Sequence, residues 1–266
     1  MTDVRLGIRS MRIKPSFRLQ RPVSWREIVE YTDILRQIDA TSLQEIKVSY
    51  GGLCALFLPE IEALFQTMKE CCSPTALRSL SGQGMKMAKG LLTTATIKPL
   101  FVFSNLGILK IHNTKNVGDV GFNLDNESVE LFVPTWPHMR CLEFCLSKPR
   151  GNGDYKITLD GLIPIARSWA NLEKLTICFT ATTRRGNHLW GVHGFFDDSC
   201  CLKLRDLNIC GSPLLFQPRV VAAVLERLFP TINTFGYSGR SFGCSYRWDT
   251  ASSLLWKLPR RTGRGT

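Results

Sequence analysis

One short pattern limits what this chain can fold into: an apolar residue, two variable ones, a second apolar residue, one variable, a third apolar. It reads Leu43-Gln-Glu-Ile46-Lys-Val48, then Leu77-Arg-Ser-Leu80-Ser-Gly82 in degenerate form, then Leu106-Gly-Ile-Leu109-Lys-Ile111. It continues as Met139-Arg-Cys-Leu142-Glu-Phe144, Leu172-Glu-Lys-Leu175-Thr-Ile177, Leu204-Arg-Asp-Leu207-Asn-Ile209 and, more weakly, Ile232-Asn-Thr-Phe235-Gly-Tyr237. The first positions fall at 43, 77, 106, 139, 172, 204 and 232, with successive spacings of 34, 29, 33, 33, 32 and 28. Apolar residues are common, so one such match means little, but seven in near-constant phase mark a repeat array. Ile8, Met11 and Ile13 offer a fainter continuation upstream.

The last two apolar positions of each copy alternate with polar ones, which is the period of a strand buried on one face. Ahead of several copies the apolar spacing changes to three and four, the period of a helix. Leu159, Leu162, Ile165, Ala166 and Trp169 show it, as do Val220, Val221, Val224, Leu225 and Leu228. Val129, Phe132 and Trp136 do the same before Pro137, and Pro230 stands where another helix must end. One unit of helix, turn and strand cannot bury both of its apolar faces alone, so the units must stack. The expected fold class is α/β: a leucine-rich-repeat solenoid of about seven units, with parallel strands on the concave face and helices on the convex face. Ankyrin and tetratricopeptide arrays have similar periods, but the ankyrin T-P-L-H signature is absent and an all-helical array conflicts with the strand pattern.

With 266 residues the chain can bury a sizeable core. Its net charge of +12 raises nucleic-acid binding, yet residues 1–27 and 238–266 carry +5 each and leave only +2 for residues 28–237. The expected organisation is a basic N-terminal segment at 1–23, a solenoid at 24–237, and a basic, partly disordered C-terminal tail at 238–266. No stretch reads as a membrane span; Gly51 to Phe65 is broken by Pro59, Glu60 and Glu62. The N-terminus has no apolar run of the kind a secretory signal needs, which points to a cytoplasmic or nuclear chain. Ten cysteines without a C-x-x-C read as free thiols of a reducing compartment.

Strand alternation names the residues that point outward. The first column is Glu45, Ser79, Ile108, Cys141, Lys174, Asp206 and Thr234. The second is Lys47, Ser81, Lys110, Glu143, Thr176, Asn208 and Gly236. The third is Ser49, Gln83, His112, Cys145, Cys178, Cys210 and Ser238. Glu45, Lys47, Lys110, His112, Glu143, Lys174, Thr176, Asp206 and Asn208 are therefore the candidate partner-binding residues, on the face that solenoids ordinarily use for recognition. The first two columns mix signs, so they form no basic stripe for a nucleic acid. The stacked Cys145, Cys178 and Cys210 could hold a soft metal in principle, but small thiols also suit a crowded strand end, and no metal site is assigned. His188, His193, Asp197, Asp198, Cys200 and Cys201 match no metal or triad spacing, and the stretch Thr182 to Ser199, which holds the first four, reads as an exposed binding loop. No phosphate loop, nucleophile elbow or H-E-x-x-H occurs, so neither catalytic residues nor a cofactor are expected.

Several segments resemble a known family. They are Trp136-Pro137-x-Met139-x-x-Leu142, Leu159-x-Gly-Leu162-x-x-Ile165-Ala166 leading into Asn171-Leu172-x-x-Leu175, and Leu207-Asn-Ile-x-x-Ser212-Pro213. Phe229-Pro230-x-Ile232 and the stretch from Ser24-Trp25-x-Glu27 to Tyr31 belong with them. Together they are similar to the fungal F-box and leucine-rich-repeat proteins over about residues 24–237. The resemblance implies a protein partner and the role of substrate receptor in a cullin-type ubiquitin ligase, whose adaptor docks on the F-box. An F-box is not recognisable ahead of residue 24, so the resemblance lies in the repeat region. The alternative expectation is a nucleic-acid-binding protein that uses its basic ends.

Overall fold

Wherever the six-residue pattern occurs, its second half forms a strand. The structure is a computed structural model that describes residues 16–19, 26–49, 58–83, 90–112, 120–145, 155–182, 201–237 and 242–257. In chain order the elements are β1 (Ser16–Leu19), α1 (Arg26–Gln37), β2 (Glu45–Ser49), α2 (Leu58–Cys71), β3 (Ser79–Gln83) and β4 (Gly90–Leu92). Then come α3 (Thr94–Ile97) with a 3-10 turn at Lys98–Val102, β5 (Ile108–His112), β6 (Val120–Phe122), α4 (Asn126–Thr135), β7 (Cys141–Cys145) and α5 (Leu159–Ser168). The remainder is β8 (Lys174–Thr176), β9 (Asp206–Asn208), α6 (Pro218–Leu228), β10 (Thr234–Gly236) and α7 (Phe242–Lys257).

Among the described residues eight strands form one sheet in the order β1-β2-β3-β5-β7-β8-β9-β10, and every pairing is parallel. The chain is thus an α/β solenoid of the leucine-rich-repeat type. Among the described residues the sheet extends upstream of residue 24, because β1 pairs with β2 through Ser16 opposite Glu45 and Arg18 opposite Lys47. The strand sits at Ser16–Leu19, downstream of the Ile8–Ile13 continuation.

The first apolar residue of each copy fixes the register. Leu43, Leu77, Leu106, Met139, Leu172 and Leu204 are completely buried, and Ile232 nearly so. The backbone carbonyl that follows each of the first six accepts two N–H groups from the next unit. Gln44 O takes Arg78 N and Ser79 N, Arg78 O takes Gly107 N and Ile108 N, and Gly107 O takes Arg140 N and Cys141 N. Arg140, Glu173 and Arg205 carbonyls continue the series to Thr234 N, all at 2.7–3.2 Å. Two bonds per junction lock the register, and a slip of one residue would turn the whole apolar set outward. Inward from the sheet, Ile46, Leu80, Leu109, Leu142, Leu175 and Leu207 join the buried core with the inner faces of the helices.

The helix side has its own ties between units. Asp125 and Thr93 each close a capping box on the helix that follows. Asn126 donates its amide to Thr158 Oγ1 and accepts from Thr158 N, both at 2.9 Å, and Thr94 Oγ1 meets Ser128 Oγ at 2.5 Å. Asn126 belongs to a glycosylation-type sequence, Asn126-Glu-Ser128, but its side chain is buried and bonded inside this ladder. A Cβ on Gly161 would stand 2.5 Å from Asn126 Oδ1, so this helical position has no room for a side chain. Trp136 donates to Leu100 O at 3.3 Å and Trp169 to Val133 O at 3.0 Å, with Phe132 stacked between the two indoles.

Within the basic C-terminal segment, Phe242–Lys257 form helix α7. It packs on α6, and in the segment ahead of that helix Phe216 O accepts from Arg247 and Ser212 O from the buried Trp248, the latter at 2.7 Å. Trp248 also packs against Phe179 and Phe235. Helix α7 thereby buries apolar surface of the unit that contains β10. Among the described residues no helix is long and apolar enough to cross a membrane.

Candidate functional site

The pleat of a strand sends alternate side chains to opposite faces. With the core residues turned toward the helices, the intervening residues face away from them. The strand pairing aligns them in the two expected columns. Glu45, Ser79, Ile108, Cys141, Lys174, Asp206 and Thr234 stand opposite one another in turn. Lys47, Ser81, Lys110, Glu143, Thr176, Asn208 and Gly236 do the same. Strand β1 adds Ser16 and Arg18 to the start of these columns by register.

The charged residues fall into two groups. At the N-terminal end Lys47 Nζ lies 2.7 Å from Glu45 Oε1, so this pair largely satisfies itself. At the centre three strands converge on one carboxylate. Lys110 Nζ from β5 lies 2.9 Å from Glu143 Oε1, and Lys174 Nζ from β8 lies 3.3 Å from the same oxygen. Cys141 Sγ donates to it at 3.2 Å. The Glu143 side chain is only 4% exposed, against 29% for Lys110 and 43% for Lys174. A carboxylate withdrawn from water this far needs compensating donors, and here two ammonium groups and a thiol supply them.

The protonation equilibria follow from this arrangement. Burial disfavours the charged form of Lys110, yet the hydrogen bond to Glu143 and the nearby negative charge outweigh it and hold the pKa above the usual lysine value. Burial, reinforced by the bond to Glu143, pushes the Cys141 thiol up to about 12, while the two lysines pull the other way. Cys141 is therefore a neutral donor at ordinary pH and a poor nucleophile.

The remaining expected residues divide by what they do. Thr176 is buried in the floor beside Glu143, with Ser79 and Ser81 on the strands before it. Asp206 is half-buried next to Lys174 in the register. Asn208 is half-buried too, and its Oδ1 accepts the N–H of Cys210, supporting a residue held at φ 49. His112 ends β5 opposite Cys145, and the side chains of both lie outside the described residues. Of the third column, Cys178 and Cys210 are buried beside Tyr155 beyond the ends of β8 and β9. Among the described residues no group of three His, Cys, Asp or Glu is placed to hold a metal ion. The loop with His188, His193, Asp197, Asp198 and Cys200 lies outside the described residues, whereas Cys201 is buried and donates toward Trp169 O and Leu172 O.

Strand alternation alone does not bring Cys141 into the central cluster, because it fixes which face a side chain takes and not which neighbour it bonds. The signal available was its position two residues before Glu143 on the same face, where cross-strand and along-strand neighbours share space.

No protein-family model matches the chain, and no curated protein does. Among solved structures it is similar to the tropomodulin C-terminal domain from Caenorhabditis elegans, at 12% identity over 87% of this chain and 94% of that one, with a TM-score of 0.29. At that score the likeness is too loose to build on, and the solenoid assignment rests on the register and core of this chain alone.

Proposed function

We propose that this chain is a non-catalytic protein-interaction module that binds a partner protein on the outward, concave face of its sheet. The observation that carries this reading is the segregation of the strands. One face is apolar and sealed under helices, while the other aligns Glu45, Lys47, Lys110, Glu143, Lys174 and Asp206 in register along consecutive strands. A long, rigid polar sheet surface with charges at fixed spacing is the kind of surface on which repeat proteins recognise others. On the resemblance described above, the finer proposal is the substrate-recognition part of an F-box subunit in a cullin-type ubiquitin ligase.

The test is quantitative affinity purification of the full chain from its native cell. It compares the wild type with two variants, one exchanging Glu45, Lys47 and Asp206 for Ala together with Lys110→Met, Glu143→Gln and Lys174→Met, the other exchanging Arg167 and Arg227 on the helices for Ala. A partner recovered with the wild type and the helix variant, but lost from the sheet variant, is the expected result. Cullin and adaptor subunits among the recovered proteins would support the ligase reading. A partner retained by the sheet variant, or salt-labile RNA recovered in place of protein, would overturn the binding-face proposal.

A further inference from the structure

The centre of the sheet face is more specific than a mixed polar surface. Lys110 and Lys174 reach from either side to one oxygen of the buried Glu143, so two ammonium groups share one carboxylate, while Asp206, the register neighbour of Lys174, forms no ion pair with it. Each ammonium has three donors and is partly open to solvent, so each can serve a second acceptor while keeping its bond to Glu143. Glu143 also holds both long side chains in place before anything binds. The rotamer entropy that lysines usually lose on recognition is therefore already spent in folding, a preorganisation that favours binding.

We infer that this cluster is an anchor for a single side-chain carboxylate of an extended segment in the partner protein, seated across the Lys110 and Lys174 ammonium groups. The inference rests on the concave-face reading and adds to it the chemistry of the partner. Charge complementarity selects the occupant. The only other cation with a described side chain in the two columns, Lys47, is already held by Glu45, so the central cluster is where ammonium groups outnumber the carboxylate they share. The same columns place Glu45, Glu143 and Asp206 among the lysines. A nucleic-acid strand, with a phosphate at every step, would set charges against these carboxylates as well as against the lysines. A polypeptide can put one Asp or Glu over the anchor and neutral or basic residues on either side.

A displayed library of random short peptides, selected against the full chain, tests this directly. Enrichment of peptides with an isolated Asp or Glu is expected. The control is the triple variant Lys110→Met, Glu143→Gln, Lys174→Met, which removes all three charges together and so leaves no orphaned carboxylate, with folding checked by circular dichroism. Enriched peptides should bind this variant about tenfold more weakly, the loss expected for a little over 1 kcal/mol of partly exposed ion pairing. They should bind Lys110→Arg, Lys174→Arg nearly as well as the wild type. Selection with no preference for acidic residues, equal binding to the triple variant, or full competition by a single-stranded oligonucleotide would overturn the anchor. If the purification above still places the partner on the sheet face, the anchor fails alone; if the partner ignores that face, both proposals fail.

Discussion

Each strand of the main sheet from β2 to β10 begins two residues after a buried Leu, Met or Ile, and neighbouring strands pair at that same position. The helices opposite share no such rule. They run from four residues in α3, extended by a 3-10 turn, through ten in α4 and α5 and fourteen in α2 to sixteen in α7. The difference lies in what each side must satisfy. The strands share one hydrogen-bonded ladder, in which a missing or extra residue reverses every face beyond it. The helices only have to cover apolar area, and any length that reaches the next cap will serve. The repeat spacings of 28 to 34 residues therefore vary between strands and not within them.

That contrast can be broken experimentally, most severely on the strand side. Leu142 is completely buried in the middle of β7. Leu142→Ala should cost about 2–5 kcal/mol in urea unfolding, the range for a core cavity. Leu131→Ala on the exposed face of α4 should stay within about 0.5 kcal/mol of the wild type. Comparable losses at both sites would contradict the division between the two sides.

The helix side is strict at one point, where its polar ladder crosses between units. Gly161→Ala, which in an unconstrained helix would stabilise by roughly 0.5–1 kcal/mol, should instead destabilise by about 1–3 kcal/mol because the new Cβ meets Asn126 Oδ1. A higher melting temperature for this variant would show that the ladder yields freely.

Asp125→Ala removes the cap of α4 and should cost roughly 1 kcal/mol at neutral pH. Hydrogen bonds from the Ser128 side chain and backbone, working against burial, hold the Asp125 carboxyl below its ordinary pKa. A carboxyl with a lowered folded-state pKa stabilises above its unfolded value of about 3.9 and loses that contribution as pH falls through the folded value. The gap between wild type and Asp125→Ala should therefore be constant from pH 7 to about 5 and close in more acid solution. A gap that widened on acidification would contradict this assignment. The smallest effect belongs to the exposed rim, where Arg140 meets Glu173 at 2.8 Å. Arg140→Ala should change stability by no more than about 1 kcal/mol, and less in high salt.

How legible each part was in the sequence follows the same division. The strand pattern carried the register, so the outward columns fell where alternation put them, down to Lys47 opposite Ser81 and Glu143 opposite Thr176. Strand β1 was missed because Ser16-Phe17-Arg18-Leu19 lacks the preceding Leu-x-x of the other copies. Helix α7 was hidden by Gly243, Ser245, Ser252 and Ser253 and by the basic residues around it. Its anchor is Trp248, whose role depends on Ser212, thirty-six residues away. The convergence of Lys110 and Lys174 on Glu143 was beyond strand alternation, since it depends on how far lysine side chains lean across neighbouring strands. Asn208 shows the converse. It occupies an outward column, yet its side-chain oxygen supports the backbone of its own turn.

The measurement that bears most directly on the proposed binding face is amide hydrogen exchange of the full chain, with and without the partner recovered by affinity purification. Slowed exchange on binding is expected over the strands of residues 45–49, 108–112, 141–145, 174–176 and 206–208 and the residues flanking them, with α4, α5 and α6 unchanged. Slowed exchange confined to those helices, with the strands unaffected, would contradict a partner bound on the concave face.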